Sequence, residues 1–366
     1  MPRRPFHRSR RPRTRRLAGW FVVGAVGIVG PLSVFAWGAS AATGATCNAG
    51  TRTVTVASGG TATIVRSGQN VTVPGCGGSG AVVAAVGSGV TVKIEGGGGG
   101  STLVIDLSGG HFPSSVKFDV NIGSSGGGNT LNIVGSSGPD DIVAGSFGIA
   151  LNGDDVVDLG EGCDPDCIGP PSGVEELLVN GEGGDDSLSS GGSPGTGGPS
   201  DTPTTLDGGS GLNTLDFSRA AGPVTANLFQ GTASGAKQVK NFARLLGSPF
   251  SDELVGDHDN YIADGAGDDI VFAGAGNNVI ESGPGAKTIT VGNGHNVVTV
   301  GPGGGSTISA GDGDNDITVG PGGGSTVTVG GGNNHIRGSD GGDIITAGGG
   351  DNLIEDGGGD DAITTG

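Results

Sequence analysis

The stretch that decides the fold runs from Asp264 to Thr364 and reads DGAGDDIVF AGAGNNVIE SGPGAKTIT VGNGHNVVT VGPGGGSTIS AGDGDNDIT VGPGGGSTVT VGGGNNHIR GSDGGDIIT AGGGDNLIE DGGGDDAIT. Eleven units follow one another without a break, and two of them carry a tenth residue. Glycine recurs at the second and fourth places, Asp or Asn often at the sixth, and an aliphatic at the eighth. Nine residues are too few for a helical repeat but suffice for one turn and one short strand. The period therefore predicts an all-β fold, a right-handed parallel β-roll or β-solenoid of nonapeptide units, in which each strand donates a small aliphatic to a shared core.

Composition agrees with that economy. Glycine supplies 83 of 366 residues without a triplet period, which excludes collagen. Aromatics are 4% and there is one Met, too few for an ordinary globular core. A disordered low-complexity chain is the plain alternative, and the in-phase Ile, Val and Leu oppose it. Ser189–Thr205, SSGGSPGTGGPSDTPTT, does read as linker.

Working outward gives five segments. Residues 1–41 read as an export signal: eight Arg and no acid up to Arg16, apolar Leu17–Trp37, then Ala39-Ser40-Ala41 as a small-residue cleavage site. An uncleaved anchor is the competing reading, because about 20 apolar residues can span a bilayer. Residues 42–120 form an irregular β-rich region, with β-branched runs such as Thr51–Val56 and Thr102–Leu107. Residues 121–216 hold degenerate units, GSSGPDDIV, ALNGDDVVD, GEGGDDSLS and GGSGLNTLD, with the linker near 189–205. Residues 217–246 connect to the array, which occupies 247–366. The array runs to Gly366 with no capping segment in view, so an open edge at Ala362–Thr365, or cover by another chain, is expected.

Export sharpens the charge. Without residues 1–41 the chain carries ten basic and 37 acidic residues, a net of −27. That balance excludes nucleic acid as a partner, and its self-repulsion favours bound cations. After signal cleavage no membrane contact is expected. Four cysteines in an exported chain should be oxidised. Cys47–Cys76 with Cys163–Cys167 is the preferred pairing among three connectivities, and a zinc site is the alternative.

The repeat resembles the RTX, or hemolysin-type, calcium-binding nonapeptide G-G-x-G-x-D-x-U-x. The approach LLGSPFSDELVGDHDNYIADGAGDDIVFAGAG (Leu245–Gly276) and the earlier LDFSRAAGPVTANL also look like that family. The resemblance implies that six residues form the turn and three the strand. It also implies that successive turns fall on opposite edges, so that one Ca2+ lies between turns about 18 residues apart. Calcium takes six to eight oxygens, which glycine-rich backbone carbonyls and a sixth-place Asp can supply. The N-terminal export signal departs from the family, so its usual secretion route and a toxin role are not carried over.

Counting units in alternation from Gly247 puts Asp252, Asp269, Lys287, two Gly/Ser turns, Asp343 and Asp361 on one edge. The other edge is Asn throughout: Asn260, Asn278, Asn296, Asn315, Asn334 and Asn352. Stacked Asn side chains form ladders without metal. Calcium is therefore expected between Asp252 and Asp269 and between Asp343 and Asp361, and excluded at Lys287, whose ammonium takes the ion's place. Asp140, Asp155 and Asp186 match the sixth place in the degenerate region and are further Ca2+ candidates without a partner 18 residues away. The fifth-place acids are expected to face solvent.

Three function classes follow. The first is a secreted calcium-binding structural or adhesion module whose turns complete folding on reaching calcium outside the cell, with an unknown cell-surface or extracellular ligand. The second is an enzyme or its accessory, but H-E-x-x-H is absent and the five His are isolated, so the expectation is no enzyme. The third is recognition of ice or a polysaccharide by outward hydroxyls: Thr288/Thr290, Thr307/Ser309, Thr326/Thr328, Thr346 and Thr364.

Overall fold

In the array, each strand follows a glycine turn, and the strands before Leu353–Glu355 bury alternate residues. Ile289 and Val291 point inward between exposed Thr288 and half-buried Thr290, and the same alternation recurs along this sheet as far as Ile344–Ala347. The chain is described here by a computed structural model covering residues 44–76, 81–86, 90–96, 99–123, 127–163 and 166–366. Residues 1–41, and with them the expected signal, lie outside the described residues. Among those described there is no helix, and none that could cross a membrane.

The fold is all-β and is dominated by long parallel sheets. Consecutive strands of the array alternate between two sheets. Arg244–Leu246, Tyr261–Gly265, Val279–Ser282, Val297–Val300, Asp316–Val319, His335–Arg337 and Leu353–Glu355 belong to a 16-stranded sheet. Glu253–Val255, Ile270–Ala273, Thr288–Val291, Thr307–Ala310, Thr326–Val329, Ile344–Ala347 and Ala362–Thr365 belong to a nine-stranded sheet. Each pairs in parallel with the next strand of its own sheet: Ile289 lies opposite Ile308, then Val327, then Ile345. The inner rows, Leu254–Val271–Ile289 and Ile262–Ile280–Val298 with their successors, form a thin apolar core, flanked by a second buried position such as Val291 and Val300. Burying each such side chain contributes roughly 1.5–3 kcal/mol.

Towards the N-terminus the same 16-stranded sheet continues, but an eight-stranded sheet faces it. That sheet includes Thr61–Ser67, Thr102–Asp106, Thr130–Val134, Glu176–Asn180 and Thr204–Asp207. Val174–Val179, VEELLV, contributes its last four residues to one of these strands. Phe112 and Phe118 fill this wider interior edge-to-face, with ring centroids 5.0 Å apart. One sheet runs from Ala45–Asn48 to Leu353–Glu355.

Ser189–Thr205 is not a linker. Ser189, Ser190, Ser193, Thr196 and Thr204 are buried, and the Ser190 hydroxyl donates to Ser234 O at 2.7 Å. Small residues mimic linker composition because the chain packs closely on itself here. Disulfides join Cys47 to Cys76 and Cys163 to Cys167.

Candidate functional site: the turn edges

Each turn of the array needs a backbone that reverses within six residues. The fourth-place glycine supplies it: Gly285 has φ +126°, and a Cβ there would meet Gly267 O at 2.0 Å. The reversal aims two carbonyls, those four and two residues before the sixth place, towards the sixth side chain. What fills that carbonyl pair differs between the edges.

On the Asn edge the chain fills it with its own amide. Asn296 Nδ2 donates to Gly292 O (3.1 Å), to Gly294 O (3.2 Å) and to Asn315 Oδ1 (2.8 Å). Asn278, Asn315 and Asn334 repeat this set, and Asn352 fills its own carbonyls. Backbone N–H groups join the ladder: Asn278 N donates to Asn296 Oδ1 at 3.2 Å and Asn315 N to Asn334 Oδ1 at 3.1 Å. Asn260, the first rung, instead accepts Asp257 N–H at Oδ1, and its buried Nδ2 has no partner among the described residues. With a nitrogen in the carbonyl pair, the donor set from Asn278 to Asn352 does not fit calcium.

On the opposite edge Lys287 does the same work from one level away. Its ammonium, fully buried, reaches back to Gly265 O (3.0 Å), Gly267 O (2.8 Å) and Asp269 Oδ2, with Asp264 Oδ1 at 3.3 Å. Asp264 was not singled out from the sequence, because it occupies a unit's first place. A bulge between Ala263 and Gly265 turns it inward, where it accepts the Ser282 hydroxyl. Burial, then the negative charge of Asp269, pushes Asp264 up to about 6.

Asp252 is saturated by protein donors: Val224 N (2.8 Å), the Ser248 hydroxyl (2.7 Å) and Ser248 N. Its own N–H donates to Asp269 Oδ1 at 2.8 Å, while Lys287 takes the other Asp269 oxygen. The stacking expected of Asp252 and Asp269 is present, but this donor set does not fit a calcium ion between them. The two Gly/Ser turns continue the ladder with hydroxyls. Lys287 N donates to Ser306 Oγ (3.1 Å), Ser306 N to Ser325 Oγ (3.2 Å) and Ser325 N to Asp343 Oδ1 (2.6 Å).

Asp343 repeats the Asp252 arrangement, holding Ser339 N at 2.7 Å and the Ser339 hydroxyl at 3.0 Å. Its N–H donates to Asp361 Oδ1 at 2.7 Å. The remaining oxygen of Asp361 receives no hydrogen bond from the described residues. It sits on a turn whose carbonyl pair, Gly357 and Gly359, lacks the nitrogen found at the Asn levels and at Asp269. This donor set is all oxygen and fits a cation.

The degenerate region also stacks, over longer separations. Asp140 N donates to Asp186 Oδ1 (2.9 Å) and Asp186 N to Asn213 Oδ1 (3.0 Å), 46 and 27 residues along the chain. Insertions between units hid these partners from a search at 18 residues. Asp140 takes Ser136 N at 2.7 Å, and His111 Nε2 lies 2.7 Å from Asp140 Oδ1. That hydrogen bond raises His111, a histidine the sequence presented as isolated. Asp186 lacks the donor that Ser136, Ser248 and Ser339 provide. Glu182 holds that place at φ +64° and gives its N–H to Asn180 Oδ1. Asp186 Oδ2 is therefore buried without a partner among the described residues, and burial, then Asp140 and Asp185, pushes the group up to about 6. Asp155 is outside the stack. Gly148–Ala150 turns back antiparallel on Asp141–Gly145 here, and Asp155 (φ +60°) faces Arg219 at 3.5 Å.

Fifth-place residues form a second, outer ladder rather than facing water alone. Asn277 N donates to Asp259 Oδ1 (2.6 Å), His295 N to Asn277 Oδ1 (2.8 Å) and Asn333 N to Asp314 Oδ1 (2.7 Å). Among the described residues no group of three or more His, Cys, Asp or Glu is disposed to hold a metal, so any cation here would rest mainly on backbone carbonyls. No protein-family model matches the chain, and no curated protein matches it.

Proposed function

We propose that the chain is an extracellular structural or adhesion module. Its paired sheets wind as a right-handed parallel β-roll of the RTX kind, and calcium acts at the Asp343–Asp361 levels rather than along the whole array. The single observation that carries the metal reading is the stacking of Asp343 on Asp361 at 2.7 Å, beside a carbonyl pair that receives no side-chain nitrogen. Asp361, the Gly357 and Gly359 carbonyls and the Asp343 level would hold the ion, which would neutralise carboxylates of a strongly acidic chain. Export rests on the N-terminal signal and the two disulfides.

Calorimetric titration of the secreted chain tests this. The reading expects about one strongly bound calcium, at a site the Asp361→Ala variant loses and Asp269→Ala keeps. Saturation at 100 times Kd adds about 2.7 kcal/mol to stability. Calcium binding that survives Asp361→Ala unchanged, or none at all, removes the metal from the proposal.

A further inference from the structure

The two outward faces of the array differ in charge. On the 16-stranded sheet the outward positions include Glu281, Asp316, Arg337 and Glu355, tied into pairs such as Arg337–Glu355 at 3.0 Å. On the nine-stranded sheet the outward positions from Ile270 to Thr364 carry no charge at all. Strand preference for Thr explains neither half of that contrast, since both faces are built from the same short strands. On a chain with 37 acidic residues, a six-strand face without one is chemically distinct from the rest of the surface.

Its layout is a grid. Thr290, Ser309, Thr328, Thr346 and Thr364 lie directly opposite one another across successive strands. Thr288, Thr307 and Thr326 run beside them in the same way. Neighbouring strands are about 4.8 Å apart, and alternate residues along a strand about 6.6 Å apart. The hydroxyls therefore repeat in two directions across this face. Exposed Phe272 (42%) and Ile344 (54%) interrupt the grid with apolar area.

We propose that this face docks a neutral, regularly repeating polysaccharide surface. Uncharged hydroxyl rows exchange hydrogen bonds with sugar hydroxyls, and the apolar positions accept the C–H faces of sugar rings. The face imposes no charge on the ligand, while the acidic remainder repels anionic polymers and other copies of this chain. The proposal rests on the extracellular reading above but not on calcium.

Co-sedimentation with microcrystalline cellulose and with chitin, at 0.15 M salt with and without EGTA, tests it. The wild-type chain is expected in the pellet of at least one solid in both buffers. The pair Ser309→Lys and Thr328→Lys should weaken binding at least ~10-fold, equivalent to about 1.4 kcal/mol. Thr299→Lys and Thr318→Lys, outward on the charged face, should leave it unchanged. Circular dichroism confirms that all variants fold. Failure to pellet, or equal loss from both pairs, overturns the proposal. So does a dimer that only the first pair dissolves, or ice-growth inhibition without sedimentation; those outcomes assign the face to a second copy or to ordered water. A calcium-independent pellet separates this result from the fate of the metal reading.

Discussion

Lys287 carries its charge to a place that water does not reach, and two carboxylates and two carbonyls receive it. Breaking a buried pair from one side costs roughly 3–5 kcal/mol, because the partner charge stays behind. Lys287→Met should therefore lower stability by that order in urea unfolding, although it removes no apolar contact. Asp186 makes the opposite point, as a buried acid with an oxygen that no described residue satisfies. Its folded pKa, about 6, lies above the ordinary carboxylate value, so the folded state favours the protonated form. The stability it contributes is full below about pH 4 and is lost as pH rises through about 6. Raised His111 loses its contribution in the same direction. The melting temperature should accordingly fall between pH 4 and neutrality, and Asp186→Asn should flatten part of that fall. An unchanged pH profile in the variant would sink this account of Asp186.

At the level of elements, a strand of four residues is stable only as part of a stack. The Asn ladder supplies what the thin core cannot: each rung from Asn278 to Asn334 satisfies its own turn's carbonyls and reaches the next. Asn296→Ala strips donors from Gly292 O and Gly294 O and should cost about 1–3 kcal/mol. Asn296→Asp keeps the shape but turns a donor into an acceptor facing two carbonyls. It should be the worse variant at neutral pH in EGTA, and millimolar calcium should restore part of the loss; melting curves in the two buffers check both statements. Much of this was legible in the sequence. The Asn at alternate sixth places announces the ladder, and the Ile/Val eighth places announce the inner rows. What was not legible depends on contacts between distant residues. Asp264 turns inward through a bulge, His111 finds Asp140, and Asp140 finds Asp186 across a 46-residue gap. Ser189–Thr205 misleads because a composition of Gly, Ser and Pro suits a tightly packed turn as well as a loose tether.

Across the whole chain beyond residue 41, ten basic residues face 37 acidic ones, so screening should matter. Raising salt from 0.05 to 0.5 M should stabilise the wild-type chain in EGTA, and added calcium should do so at far lower concentration; equal potency of calcium and sodium would argue against a bound ion. The ladder has a further consequence. A row of identical rungs has no intrinsic origin, so a chain held only by Asn stacking could slide by a full repeat and lose a single rung at the end. Two features prevent that slide. Gly303–Gly304 and Gly322–Gly323, in the ten-residue units, pair only with each other, and the Lys287 ammonium has its carboxylates only at one level. They serve as index marks on an otherwise featureless ruler. Erasing both should leave the strands intact yet split the population among offset alignments, visible as bimodal hydrogen exchange.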